Sequence, residues 1–191
     1  MTRILIARHG ETVWNTEYRM QGRQDSPLTD KGVRTALALG SSLSSSGIIP
    51  DICLVSPMQR ALNTAYLIRK ASELDYSIEI EPLLAEMDLG TWEGLRAPDA
   101  AKMFPEDFVK FRTRPHEFVP QGGVGESFFD VYGRAAKVID KVKERYDGTV
   151  LLVSHMILVQ AALCIKDGKD VSHLRENEPI EQAKIYVISE D

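Results

Sequence analysis

Cysteine is scarce in this chain: Cys53 and Cys164 are the only two in 191 residues, and each falls within or beside an apolar segment. Two such thiols read as buried and free, and no disulfide framework is expected. Long apolar runs are missing as well. Nothing approaches the ~18 consecutive apolar residues that a membrane span needs, so no membrane partner is expected. Positive charge is in deficit, with 23 Lys and Arg against 28 Asp and Glu and a net charge of −5. There is no basic block and no basic stripe interleaved with aromatics, which argues against a nucleic-acid partner. Any anionic ligand must then be held by a local cluster of cations, because the whole-molecule field does not recruit it. The glycine fingerprint of dinucleotide binding is absent after the first strand, so a dehydrogenase reading has little support. No repeat or low-complexity tract appears. Arg3 leads straight into a short apolar run without the apolar region and cleavage site of a signal peptide, and a cytoplasmic location is expected.

What remains is ordinary globular composition, 43% hydrophobic and 27% charged, in a length that suits one domain over 1–191. Residues 3–8 read as a buried strand, followed by a polar, turn-rich loop from Glu11 to Thr29. A helix opens at Asp30-Lys31-Gly32, with Thr29 or Asp30 as its cap, and carries Val33, Ala36, Leu37, Leu39, Gly40 and Leu43 at helical spacing. Asp51 to Ser56 reads as a second strand. A helix over about 58–74 presents Ala61, Ala65, Ile68 and Ala71, and Ser77 to Glu81 reads as a short alternating strand. Residues 83–127 break the alternation with four prolines and short amphipathic pieces bearing Met103, Phe104, Phe108, Val109 and Phe111. This stretch reads as an insertion of short helices over one end of the sheet, too small to own a core. A long helix over about 126–146 places Phe129, Tyr132, Ala136, Ile139 and Val142 at core spacing. A strand at 149–154, a helix at about 157–166 and a last strand from Lys184 to Ser189 complete the chain. The expected fold class is α/β: three layers, α/β/α, with a mostly parallel sheet and a short helical insertion over its carboxyl edge.

Chemistry concentrates where strands end. The run Ile4-Leu5-Ile6-Ala7 closes in Arg8-His9-Gly10, and Thr149-Val150-Leu151-Leu152-Val153 closes in Ser154-His155. Carboxyl ends of strands are where ligands sit in open α/β sheets. A phosphoryl group needs an in-line nucleophile, donors around its oxygens and a proton for the leaving oxygen. His9 suits the nucleophile if its imidazole is neutral and held in one tautomer. Arg8 and Arg60 suit bidentate binding of the oxygens, and His155, if protonated, adds a cation and a donor. Asn15 offers an amide donor from the loop after the first strand. Glu86, a lone carboxyl in an apolar stretch, suits the general acid, because apolar surroundings raise its pKa. Taken singly, each has a plainer reading: a surface salt-bridge arginine, a solvated carboxylate, a turn asparagine. Their joint placement at the strand exits favours the site.

The stretches Arg8-His9-Gly10-Glu11-Thr12-Val13-Trp14-Asn15, Gln21-Gly22 with Asp25-Ser26-Pro27-Leu28-Thr29, Ser56-Pro57 to Arg60-Ala61 with Thr64-Ala65, Glu86 with Gly90-Thr91-Trp92-Glu93-Gly94, Gly125-Glu126-Ser127 and Val153-Ser154-His155 resemble the histidine phosphatase superfamily, in its phosphoglycerate mutase-like branch. They span most of the chain in the family's order. The resemblance implies a phosphohistidine at His9, phosphoryl binding by Arg8, Arg60 and His155, proton donation by Glu86, Asn15 as a further phosphate ligand, and no metal. It also implies that Gln21 and Gly22 line the substrate mouth. Met156 departs from the small residue usual after the second histidine; its backbone N–H suits a phosphate at negative φ and is strained at positive φ.

The expected activity is therefore a phosphohydrolase acting on small phosphomonoesters, with a small phosphorylated metabolite as partner and no cofactor. A phosphoglycerate mutase using the same phosphohistidine is the alternative, and only then does 2,3-bisphosphoglycerate enter, as a primer. Hydrolysis is favoured because the segment between Glu86 and Glu126, the natural lid, looks shorter than in the glycolytic mutases the chain resembles. A metal site of His9, His155 and Glu86 is a rival that Arg8 and Arg60 oppose by repulsion. A non-catalytic phospho-ligand module is another, weakened because nucleophile and acid are both present. Six cations at 93–125, Arg96, Lys102, Lys110, Arg112, Arg114 and His116, offer contacts to a second anionic group, although a solvated face accounts for most of them. A homodimer is left open.

Overall fold

The computed structural model describes residues 2–177 and 179–190. Its centre is a pair of parallel strands, β1 (Thr2–Arg8) and β4 (Gly148–Ser154), joined in register from Thr2↔Gly148 to Arg8↔Ser154. Each has an unbroken apolar centre, Ile4–Ala7 and Val150–Val153, as befits strands covered on both faces. β2 (Ile52–Val55) lies parallel on the far side of β4, with β3 (Ser77–Ile80) beyond it, and β5 (Ile185–Glu190) closes the other edge antiparallel to β1. The order is β3-β2-β4-β1-β5.

Alternate strand residues feed two apolar layers. Leu5, Cys53, Val55, Leu151 and Val153 pack under α2 (Asp30–Ser45) and α3 (Gln59–Ser72). Ile4, Ile6, Leu54, Val150 and Leu152 face α6 (Phe128–Arg145) and α7 (Met156–Lys166). This is the three-layer α/β/α arrangement with a mostly parallel sheet. Both cysteines are free and buried. Among the described residues, no helix is long and apolar enough to cross a membrane.

Three local readings change. The buried stripe of α6 is Phe128, Val131, Ala135, Val138, Ile139 and Val142, whereas Phe129 stands 58% exposed. Two adjacent phenylalanines left the helical phase ambiguous. The Ser127–Asp130 capping box settles it by starting the helix at Phe128. β3 is an edge strand with Ser77, Glu79 and Ile80 exposed, so its pattern does not alternate cleanly. The loop from Glu11 to Thr29 holds one helical turn, α1 (Val13–Thr16), capped by Thr12, and Thr29 rather than Asp30 caps α2.

The insertion forms α4 (Ala97–Met103), α5 (Pro105–Thr113) and several 3-10 turns. Trp92 is buried there among Phe104, Phe108, Phe111 and Phe118. Phe111 and Phe118 pack in turn on Phe128 of α6, so these aromatics continue the core of the sheet. Met103 and Val109 instead face outward.

Candidate active site

The parallel register carries the two histidines out of the sheet side by side. Arg8 pairs with Ser154, and the backbone N–H of His9 donates to Ser154 O at 2.9 Å, so His9 and His155 leave the same edge together. Their ring centroids are 5.1 Å apart and both rings are buried. One strand over, Ser56 N donates to Val153 O at 3.0 Å, which sets the Ser56 hydroxyl 2.6 Å from His155 Nε2. Three strand ends thus converge on one point.

His9 Nδ1 lies 2.7 Å from the carbonyl of Gly10. A carbonyl only accepts, so Nδ1 carries the proton and Nε2 keeps its lone pair. Gly10 is held in turn: its N–H donates to Thr64 Oγ1 at 3.0 Å, and Thr64 donates to Arg60 O at 2.7 Å. Burial, reinforced by Arg8 and Arg60, pushes the His9 pKa well below its ordinary value, so the imidazole is neutral. His155 is also pushed well down, by burial first and then by Arg60, His9, Arg8 and Arg134. In the ligand-free site it therefore offers hydrogen bonding and no charge. Its Nδ1 is buried without a hydrogen-bond partner among the described residues.

Arg60 is 1% exposed on the first turn of α3. Its guanidinium donates to Gly22 O (2.8 Å), Gln24 O (2.5 Å) and Asp25 Oδ1 (2.8 Å), while the Asp25 carboxylate also accepts from the N–H groups of Gln59 and Arg60. This clasp ties the loop carrying Gln21 and Gly22 to the start of α3. Gly22 has φ of +53°, which strains any other residue, and a Cβ there would lie 2.1 Å from Glu93 Oε1 and displace that side chain. Arg8 is braced from the chain's far end, donating to Ile180 O at 2.9 Å. From the same segment Gln182 Nε2 donates to Asn15 Oδ1 at 3.0 Å. Thr12 adds its N–H and hydroxyl to that oxygen, each at 3.0 Å, which leaves the Asn15 NH₂ as its outward donor. Gln21 Nε2 donates to Thr12 Oγ1 at 2.9 Å and extends the same chain.

Glu86 is 8% exposed, and one carboxyl oxygen accepts from Met87 N at 2.8 Å. Burial raises its pKa; the Met87 N–H, Arg60, Arg8 and Arg134 pull the other way without cancelling the rise. Met156 begins α7 and is absent from the positive-φ residues, so the feared strain does not arise. Met156 and Ile157, the first two residues of this 11-residue helix, line the cavity, so the helix starts at the site, where its first-turn N–H groups lie outside the helical bonding pattern.

A cavity of about 270 Å³ opens here. Arg8, His9, Asn15, Gln21, Gly22, Arg60, Glu86 and Met156 all line it, whereas His155 is not among the lining residues and stands against His9, ring centroids 5.1 Å apart. Of the six insertion cations only Arg112 reaches the cavity. The outer wall adds Tyr18, Met20, Leu89, Phe108 and Ile157. Sequence reasoning gave no role to Ser56, Thr64, Asp25 or Gln182. Ser56, Thr64 and Asp25 at least stood in stretches already singled out. Among the described residues, no group of three or more His, Cys, Asp or Glu side chains is arranged to hold a metal ion.

This constellation of paired strand-end histidines, two arginines and one buried carboxyl coincides with a family model described as the histidine phosphatase superfamily (branch 1), which matches residues 4–191. The chain belongs to that superfamily. Within it, the chain is similar to phosphoserine phosphatase 1 of Hydrogenobacter thermophilus, 33% identical over 90% of this chain and 79% of that one. It is also similar to a 2,3-bisphosphoglycerate-dependent phosphoglycerate mutase of Methylobacterium, 32% identical over 88% of this chain and 82% of that one. Among solved structures it matches Bacillus stearothermophilus YhfR with a TM-score of 0.89 and 34% identity, covering 98% of this chain and 90% of the other.

Proposed function

We propose that this chain is a metal-independent phosphohydrolase that moves the phosphoryl group of a small phosphomonoester to His9 and then to water. The observation that carries this reading is the 2.7 Å contact between His9 Nδ1 and Gly10 O, which fixes the tautomer whose Nε2 is a nucleophile. The Nε2 lone pair forms the N–P bond as the ester P–O bond breaks, and Glu86 gives its proton to the leaving oxygen. Arg8, Arg60, His155, the Asn15 amide and the N-terminus of α7 bind the phosphoryl oxygens as charge redistributes among them. Water then attacks the phosphohistidine and returns a proton to Glu86, releasing phosphate and neutral His9. Gln21, Gly22 and Met156 shape the mouth. The similarity to a phosphoserine phosphatase agrees with hydrolysis of a small phosphorylated metabolite.

A phosphoglycerate mutase is the second reading, supported by the 32% identity to such an enzyme. It uses the same phosphohistidine but must exclude water while the substrate reorients. One preparation, assayed in the presence of a chelator, separates the two readings. Phosphate release from a panel of phosphomonoesters, phosphoserine included, is compared with 3- to 2-phosphoglycerate interconversion primed by 2,3-bisphosphoglycerate. Chelator-insensitive phosphate release is expected to dominate. Interconversion faster by orders of magnitude overturns the reading in favour of the mutase.

A further inference from the structure

The Gly125-Glu126-Ser127 stretch lies outside the cavity, yet it is bonded to the segment that carries Glu86. Glu126 N donates to Asp88 O at 2.8 Å, and Asp88 N returns a bond to Glu126 Oε2 at 2.9 Å. The two segments touch so closely at Gly125, where φ is +109°, that a Cβ would lie 2.8 Å from Asp88 O. The Glu126 carboxylate also pairs with two guanidinium groups. It meets Arg134 in a fork, 2.8 Å at Nε and 2.9 Å at the terminal nitrogen, and Arg23 at 3.3 Å.

Both arginines then grip the backbone of the Glu86 segment. Arg134 donates to Leu83 O at 2.7 Å, Ala85 O at 2.9 Å and Glu86 O at 3.3 Å, and Arg23 Nε donates to Glu86 O at 2.8 Å. Segments without regular secondary structure leave carbonyls that need such partners. Here three carbonyls within the four residues 83–86 are fixed by two cations that share one counter-charge.

We infer that Glu126 and Arg134, assisted by Arg23, are positioning residues for Glu86: they hold its backbone so that the carboxyl faces the leaving oxygen, and Glu126 offsets the charge of the two arginines behind it. This rests on the reading of Glu86 as proton donor. The charges around Glu86 are Arg8, Arg19, Arg60 and Arg112 at the cavity, neutral His9 and His155, and the Arg134–Arg23–Glu126 group behind. Arg134 already pulls the Glu86 pKa down against its burial. The Glu126 carboxylate itself is held below the ordinary range, because its bonds to Arg134 and Asp88 N outweigh burial, so it is charged whenever Glu86 has work to do. Neutralising Glu126 exposes Glu86 to two uncompensated cations and makes it release its proton at lower pH.

The test compares glycerol 2-phosphate, whose leaving alkoxide needs a proton, with p-nitrophenyl phosphate, whose leaving group hardly does. In Glu126→Gln the ratio of the two kcat/KM values is expected to fall at least tenfold. The alkaline limb of the glycerol 2-phosphate profile is expected to move to lower pH. Combined with Glu86→Gln, the change should cost no further selectivity, because it acts through that carboxyl. Equal losses on both substrates, an unmoved limb, or losses that multiply with Glu86→Gln overturn the inference. If Glu126→Gln does not fold, Arg134→Lys keeps the charge but loses the fork. It should lower the same ratio at least threefold without moving the limb, and no change in the ratio counts against the inference. Glu86→Gln alone separates the two levels. If it loses both substrates equally, the donor reading falls and takes this one with it. If it is selective and Glu126→Gln is not, only the positioning role falls.

Discussion

Ser56 Oγ stands 2.6 Å from Nε2 of His155 and joins the exit of β2 to the exit of β4. Ser56 also accepts from Met58 N at 3.3 Å, which leaves its own proton free for the imidazole. A proton donated to Nε2 puts the ring hydrogen on Nδ1, the atom with no partner among the described residues. Ser56→Ala should let the ring tautomer and tilt relax. Vanadate inhibition is expected to weaken about tenfold, and stability to fall by about 1–3 kcal/mol from one unmade buried bond. An unchanged inhibition constant removes Ser56 and His155 from anion binding as a unit.

Arg60 serves two ends at once, since the guanidinium that faces the cavity also closes the Gly22–Asp25 loop. Arg60→Met should weaken vanadate binding roughly 10- to 100-fold, the worth of charge-assisted bonds. Asp25→Asn, which leaves the cation but loosens its grip, should do the same more mildly. Equal vanadate affinity in Arg60→Met and the parent protein would place Arg60 outside the pocket's chemistry.

The two buried histidines should mark the acid stability of the fold. Their folded pKa values lie well below the ~6.5 of an unfolded chain. Protons therefore bind the unfolded state first as pH falls. Stability is full above about pH 6.5 and declines below it, by up to about 1.4 kcal/mol per pH unit for each histidine. Glu86 runs the other way. Its raised folded value gives a contribution that is complete below the unfolded carboxyl pKa and is lost as pH rises through the folded one. Urea midpoints at pH 7.5 and 5.5 are expected to drop for the parent protein and to drop less for His155→Asn. Identical drops in the two proteins contradict the assignment of His155 as a neutral buried ring.

Removal of the Glu86 proton should be felt through the leaving group. Glu86→Gln is expected to slow glycerol 2-phosphate by about 10²- to 10⁴-fold, the usual range for a positioned general acid, and p-nitrophenyl phosphate far less. A uniform loss across leaving groups identifies a structural carboxyl.

Much of this site was legible because it sits where apolar runs stop. β1 and β4 are covered on both faces, so they read as unbroken apolar runs, and the polar residues closing them stand out. Arg8, His9, Ser154 and His155 were visible for that reason, and Glu86 stood out as a carboxyl in an apolar stretch. What stayed hidden depends on pairings that no local pattern encodes. Gln182 reaches Asn15 across 167 positions, Asp25 holds Arg60 across 35, and Arg134 of α6 grips the carbonyls of Leu83, Ala85 and Glu86. The phase of α6 was missed for a different reason. Phe128 and Phe129 fit the core equally well by composition, and the Ser127 cap decides between them.

The central claim is that His9 Nε2 carries the phosphoryl group. Acid-labile, alkali-stable phosphate on the protein, trapped during turnover of p-nitrophenyl phosphate by quenching into alkali and mapped by mass spectrometry, tests it most directly. The account predicts one phosphoryl group on His9, formed at least as fast as turnover and absent in His9→Ala, which is inactive. Full turnover by His9→Ala, or phosphate mapped to another residue while His9 stays bare, contradicts it.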